Sequence, residues 1–160
     1  MDDSVTVIDG ATNNIVTTFL AGDDPHALVW NSTNNKIYSA NYCGDDVTII
    51  DCITNGILAT LAVGASPTHL VYNSANNRVY CSDYQRDKVF VIDGATNDVI
   101  TAIPVGNTPD NLIYNPTNNK IYCDNYDGLT VIDGSTNNII TTIPVNAYYM
   151  IYNPINNRVY

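Results

Sequence analysis

Three stretches of this chain say nearly the same thing. "NKIYSANYCGDDVTIIDCITN" (35–55) returns as "NRVYCSDYQRDKVFVIDGATN" (77–97) and as "NKIYCDNYDGLTVIDGSTN" (119–137), and a fourth rendering reaches "NRVY" at 157–160. Self-similarity at a fixed period constrains a fold more than any single motif, because each unit must then pack on its own copies. The strand-like runs "VTVID", "VTIID", "VFVID" and "LTVID" begin at Val5, Val47, Val89 and Leu129, which are steps of 42, 42 and 40 residues. Four strand-like runs fall in each full unit: "ALVWN", "KIYSANY", "VTIID" and "ILATLAV" in the first, designated a, b, c and d. Their β-branched and aromatic content favours strands, and the Asn, Asp, Gly and Pro clusters between them are turn chemistry.

Units of about 40–45 residues with four strands each are the signature of propeller blades. The expected fold is all-β, a β-propeller of four-stranded antiparallel blades in a single domain spanning 1–160. Its units run approximately over 5–46, 47–88, 89–128 and 129–160. The chain starts at strand c and ends inside strand b, so sixteen strands make four blades' worth, with the N- and C-terminal half-blades expected to join and close a ring. A two-sheet sandwich does not account for so strict a recurrence.

Composition narrows the function classes. All 16 acidic residues are Asp, against 6 basic ones, for a formal charge of −10. That balance opposes nucleic-acid partners, whose phosphates are met by Lys and Arg. No apolar run approaches the ~18 residues of a membrane helix, and "DDSVTV" after Met1 does not read as a signal peptide. Cys43, Cys52, Cys81 and Cys123 lack metal-ligand spacing and are expected to be small strand residues rather than zinc ligands or a disulfide pair.

The columns "VTVID", "TTIPVG", the Pro that follows Gly in "VGASP" and "VGNTP", and "NKIYSAN" or "NRVYCSD" resemble the YVTN family of β-propeller repeats over the whole chain. The resemblance implies a binding or scaffold module that is secreted or at the cell surface, as in surface-layer-type relatives. It implies no shared catalytic residues.

In a propeller the a–b and c–d turns share one face, and the b–c loops and d–a crossovers share the other. On the first face the units barely differ. Lys36, Arg78, Lys120 and Arg158 form one column and Asp9, Asp51, Asp93 and Asp133 another, expected to meet across the strand b–strand c pairing and to cap turns. "NST" at Asn31 has the form of a glycosylation sequon but fits turn chemistry equally. On the second face the units diverge. Aligned positions at the start of strand a hold His26, Thr68, Asp110 and Tyr148, followed by Ala27, His69, Asn111 and Tyr149.

These positions should ring the mouth of a central channel. His26, Thr68, His69, Asp110, Asn111, Tyr148 and Tyr149 are therefore the candidate binding residues. Asp45, Asp46, Asp87 and Asp127 in the b–c loops are calcium candidates, although the recurrence of Asp3, Asp45, Asp87 and Asp127 suggests a turn role. No other cofactor is implied. The tyrosine columns (Tyr42, Tyr84, Tyr126, and Tyr38, Tyr80, Tyr122, Tyr160) read as blade packing. The expected function is a non-catalytic binding or scaffold module for a protein or glycan ligand, recognised on the b–c/d–a face. Two alternatives stay open. One is a self-assembling surface or filament protein, a homo-oligomer built by half-blade exchange. The other is an enzyme or metal-binding protein with its site at the channel mouth.

Overall fold

The computed structural model describes residues 3–160. Its strands in chain order are β1 (Ser4–Ile8), β2 (Ile15–Leu20), β3 (Pro25–Asn31), β4 (Lys36–Asn41), β5 (Asp46–Asp51) and β6 (Ile57–Ala62). There follow β7 (Pro67–Asn73), β8 (Arg78–Asp83), β9 (Lys88–Asp93), β10 (Val99–Pro104), β11 (Leu112–Asn115) and β12 (Lys120–Asn125). The last are β13 (Gly128–Asp133), β14 (Ile139–Ile143), β15 (Tyr152–Asn153) and β16 (Arg158–Val159). They form three four-stranded antiparallel sheets in the order a–b–c–d, β3-β4-β5-β6, β7-β8-β9-β10 and β11-β12-β13-β14, flanked by the two-stranded sheets β1-β2 and β15-β16. The inner strands β3, β7, β11 and β15 neighbour one another in succession, which is a propeller-like arrangement. No helix of the described residues is long and apolar enough to cross a membrane.

Turn chemistry fixes the hairpins. Asn35, Asn77, Asn119 and Asn157 close the a–b turns, and Asn13, Asn55, Asn97 and Asn137 the c–d turns, with φ between 49° and 66°. Asn tolerates this left-handed region better than other non-glycine residues. At each c–d turn the strand-c Asp folds its carboxylate over the chain: Asp51 Oδ1 accepts the N–H groups of Ile53 and Thr54, both at 2.8 Å. These bonds hold the Asp9, Asp51 and Asp133 carboxyls below their usual range. The expected turn-capping role of this column is what the geometry displays.

Blades pack face to face. One core cluster joins Tyr38, Val47 and Ile49 of one sheet to Leu70, Val79, Cys81 and Ile92 of the next. A second repeats it one unit on, with Tyr80, Val89 and Val91 against Leu112, Ile121, Cys123 and Ile132. Cys81 and Cys123 are thus buried core residues, and all four cysteines are free. Burial pushes the Cys81 and Cys123 thiols far up.

On the turn face, polar staples accompany this packing. Asn31 Nδ2 donates to Asn77 Oδ1 at 2.9 Å, Asn73 to Asn119 at 2.7 Å, and Asn115 to Asn157 at 2.9 Å, one rung between each successive pair of units. Asn31 is fully buried in this role, so its sequon serves the turn and the rung. Lys36 and Asp51 are cross-strand neighbours as expected. However, the ammonium reaches past Asp51 to the next blade, where it donates to the Gly94 carbonyl at 2.9 Å and Asn97 Oδ1 at 2.8 Å. Tyr80 does likewise, its hydroxyl donating to Asn137 Oδ1 at 2.8 Å.

Two expectations are corrected here. Among the described residues β1 pairs only with β2 and β16 only with β15, so the terminal half-blades do not join and the ring of sheets is open. The last a–b hairpin has just two paired positions, Tyr152↔Val159 and Asn153↔Arg158, where β4 gives β5 six. So short a ladder offers little backbone to an incoming strand. The second correction concerns Tyr42, Tyr84 and Tyr126. They follow the last residue of strand b, point out of the b–c loops, and range from half-buried to exposed. Only Tyr38 and Tyr80 are fully buried packing tyrosines.

Candidate functional site

Divergent residues gather where the innermost strands begin. His26 enters from β3, Thr68 and His69 from β7, Asp110 and Asn111 from the segment before β11, and Tyr148 and Tyr149 from the segment before β15. All seven line one cavity of about 630 Å³, with Ala27 and Leu28 completing the wall. Tyr148 and Tyr149 stand at its rim, 81% and 88% exposed.

Each polar group there has a local reason for its position. The His26 ring lies against Tyr42, centroids 5.6 Å apart and planes tilted by 39°. His69 Nδ1 accepts the Leu112 N–H at 3.4 Å, which leaves the proton of a neutral ring on Nε2. Burial holds the His69 pKa below its usual value; the Asp110 charge opposes that shift and His26 adds to it. Beneath them Ser82, fully buried on β8, is a hub. Its hydroxyl donates to the Asp110 carbonyl at 2.6 Å, accepts the His69 N–H at 3.0 Å, and lies 2.9 Å from the Thr68 hydroxyl. Asn111 Nδ2 donates to the Tyr148 carbonyl at 3.2 Å and ties the third unit to the fourth. The Ser82 hydroxyl is engaged by backbone, not by the His69 ring, so the arrangement offers hydrogen bonds and stacking rather than an activated nucleophile.

The loop aspartates do other work. Asp45 Oδ1 accepts the Ser66 N–H at 3.1 Å, Asp87 Oδ1 the Thr108 N–H at 2.9 Å, and Asp127 Oδ2 the Asn107 N–H at 2.9 Å. Asp45 and Asp87 thereby hold the d–a crossover that leaves their own blade, and Asp127 the crossover that enters its blade. Asp46 accepts from Asn41 Nδ2 at 2.5 Å. These four calcium candidates stand in separate units, apart from the adjacent pair Asp45 and Asp46. Among the described residues no three His, Cys or Asp side chains converge as metal ligands, at the loops or among His26, His69 and Asp110.

Beside the main cavity lies a second hollow of about 260 Å³, which shares Asp110 and Tyr148 with it and adds Tyr84, Asp124, Tyr126 and Asn146. Asp124 Oδ1 accepts the Ala147 N–H at 3.1 Å. Burial raises the Asp124 pKa, the Ala147 bond works against this, and the Asp110 charge adds to it. Ser82 and Asp124 escaped the sequence reading. The signal for them was the column of strand b that reads Ala40, Ser82, Asp124, a different residue type in each unit.

No protein-family model matches the chain, and no curated protein does. Among solved structures the chain is similar to Kuenenia stuttgartiensis hydrazine synthase, with a TM-score of 0.72 and 21% identity, over 79% of this chain and 37% of that one. The likeness shows the fold alone, propeller-like and all-β. The chain spans 37% of the length of that structure.

Proposed function

We propose that this chain is a non-catalytic binding or scaffold module of YVTN type, secreted or cell-surface as that resemblance implies, with recognition on the face of the b–c loops and d–a crossovers. One observation carries this reading. Seven residues from four units, at positions where the repeat varies most, surround a single cavity of about 630 Å³. The cavity is mixed polar and aromatic, and no Lys or Arg lines it. A glycan or a protein segment that offers hydroxyls, amides or cations suits such a lining, and an anion does not.

The test is an amide-resolved titration of the intact chain against a glycan and metal panel. Saturable shifts confined to Thr68, His69, Asp110 and Asn111 support the reading. Shifts confined to the Asn31–Asn77 face oppose it. A turnover activity lost in His26→Ala, His69→Ala and Asp110→Ala would replace it with an enzyme.

A second reading concerns the terminal sheets. β1 and β16 are each paired on one side only, and Ile8, Ile151 and Tyr160 beside them are exposed. Free sheet edges of this kind pair readily with other strands. By the b–c register of the inner blades, Arg158 of one copy would meet Asp9 of another and Val159 would meet Ile8. Light scattering separates the cases: a particle of 17.5 kDa removes pairing between copies.

A further inference from the structure

We propose that the smaller hollow is a cage for an organic ammonium group, walled by Tyr84, Tyr126 and Tyr148 and countercharged by Asp110 and Asp124. It adjoins the main cavity and shares Asp110 and Tyr148 with it, while Tyr84, Asp124 and Tyr126 line the smaller hollow alone.

Three phenol rings come to this hollow from three successive units. Tyr84 and Tyr126 occupy the same repeat position, one residue past strand b, and Tyr148 enters from the following crossover. None of them is spent on the core, and Tyr126 is 79% exposed. An aromatic face presents negative potential, and rings placed around one space attract a cation into it. The two carboxylates arrive together because the a–b pairing continues past β11. The Asp110 N–H donates to the Asp124 carbonyl at 3.1 Å, and the Asp124 N–H to the Asn111 carbonyl at 2.9 Å. Two like charges on one lip repel, and a single cation between them relieves both. No Lys or Arg lines the hollow to supply that charge from within.

The kind of cation follows from the walls. Among the described residues no three-ligand metal cluster is present, and neutral phenols are poor partners for a hydrated metal ion. A rounded, weakly hydrated cation with an apolar surface, such as an N-methylated ammonium, gains from both rings and carboxylates. A volume of about 260 Å³ holds such a head group. A free choline-like molecule and an N-methylated lysine on a polypeptide present the same chemistry.

The experiment is an amide-resolved titration of the intact chain with four probes: tetramethylammonium, choline, a peptide bearing trimethyllysine, and tert-butyl alcohol as an uncharged near-isostere. Tetramethylammonium is expected to give saturable shifts at Tyr84, Asp124, Tyr126 and Tyr148, with tert-butyl alcohol weaker by about tenfold or more. Tyr126→Leu and Asp124→Asn should each weaken the charged probe by about tenfold, and both positions are accessible enough to leave the fold intact. His26→Ala should leave cage binding unchanged while it impairs any ligand of the main cavity, so the two readings can fail separately. Tighter binding of the peptide than of choline assigns the ligand to a polypeptide, and the reverse assigns it to a free small molecule. Equal binding of tert-butyl alcohol, failure of every charged probe to saturate, or indifference to Tyr126→Leu and Asp124→Asn would overturn the proposal.

Discussion

The two faces of the blades are built under different rules. On the turn face, each rung from Asn31, Asn73 and Asn115 repeats its neighbour to within 0.2 Å (2.9, 2.7 and 2.9 Å). On the mouth face, the equivalent positions His26, Thr68, Asp110 and Tyr148 make no two contacts alike. The difference teaches where repetition is enforced. A residue that must meet the next unit cannot change unless its partner changes too, and three interfaces use the same pair. A residue that faces the shared opening meets no fixed partner and is free to differ, which is where a solenoid or propeller acquires recognition.

Removing a rung is the strongest way to break this comparison. Asn73→Ala removes the donor to Asn119 Oδ1, which keeps the Tyr114 hydroxyl, and the acceptor of the Ala75 N–H, and should cost about 2 kcal/mol in denaturant unfolding. Tyr149→Ala, at the rim, should stay within about 0.5 kcal/mol. Equal costs would erase the distinction between the faces.

Lys36→Met tests the staple with a smaller effect. It removes two charge-assisted bonds to Gly94 and Asn97 while keeping the stem, for an expected loss of about 1 kcal/mol. Because the partners are a carbonyl and an amide rather than Asp51, raising the salt concentration should change this loss little.

A third test sharpens the contrast from the mouth side. Asp83 is fully buried where its repeat equivalents are Asn41 and Asn125. It sits against Gly64, whose φ of +105° and lack of a Cβ leave room for the carboxylate. Burial raises its pKa above the ordinary 3.8, with the Ala65 and Gln85 N–H groups opposing. The folded state therefore binds the Asp83 proton more tightly than the unfolded chain does. This contribution is fully present below pH 3.8 and is lost as pH rises through the raised folded value. Relative to Asp83→Asn, wild-type stability should fall between acid and neutral pH. An opposite slope would mean that the carboxylate is stabilised as an anion. A small effect, about 0.5 kcal/mol from lost contact with Tyr42, is expected at His26→Ala.

Much of the architecture was legible because it is local and repeated. Alternating β-branched runs marked the strands, Asn marked the left-handed turn positions, and the recurrent Asp marked the c–d caps. The register pairing Lys36 with Asp51 was also readable, but the destination of the ammonium was not. That end point depends on the twist between blades, which no single unit encodes. The mouth residues were found by comparing units with one another, yet Tyr84 and Tyr126 were assigned to packing because recurrence was read as burial. Recurrence fixed their place at the end of strand b. Tyr80 and Tyr84 share a pleat parity, four residues apart; Tyr84 is exposed because it lies past the end of β8, in the b–c loop, where no neighbouring sheet covers it. The joining of the half-blades was inferred from strand count, whereas the two-residue β16 limits it through length.

The claim beneath all of this is that units two, three and four curve toward one opening, so that side chains far apart in sequence touch there. Through-space proton contacts in solution test it directly. The account predicts cross-peaks between the Leu112 amide and the His69 ring, and between the Asn111 side-chain amide and Tyr148, whose heavy atoms lie 3.4 and 3.2 Å apart. Strong contacts along the Asn73–Asn119 rung with neither of these cross-peaks would show blades that stack without converging, and would contradict it.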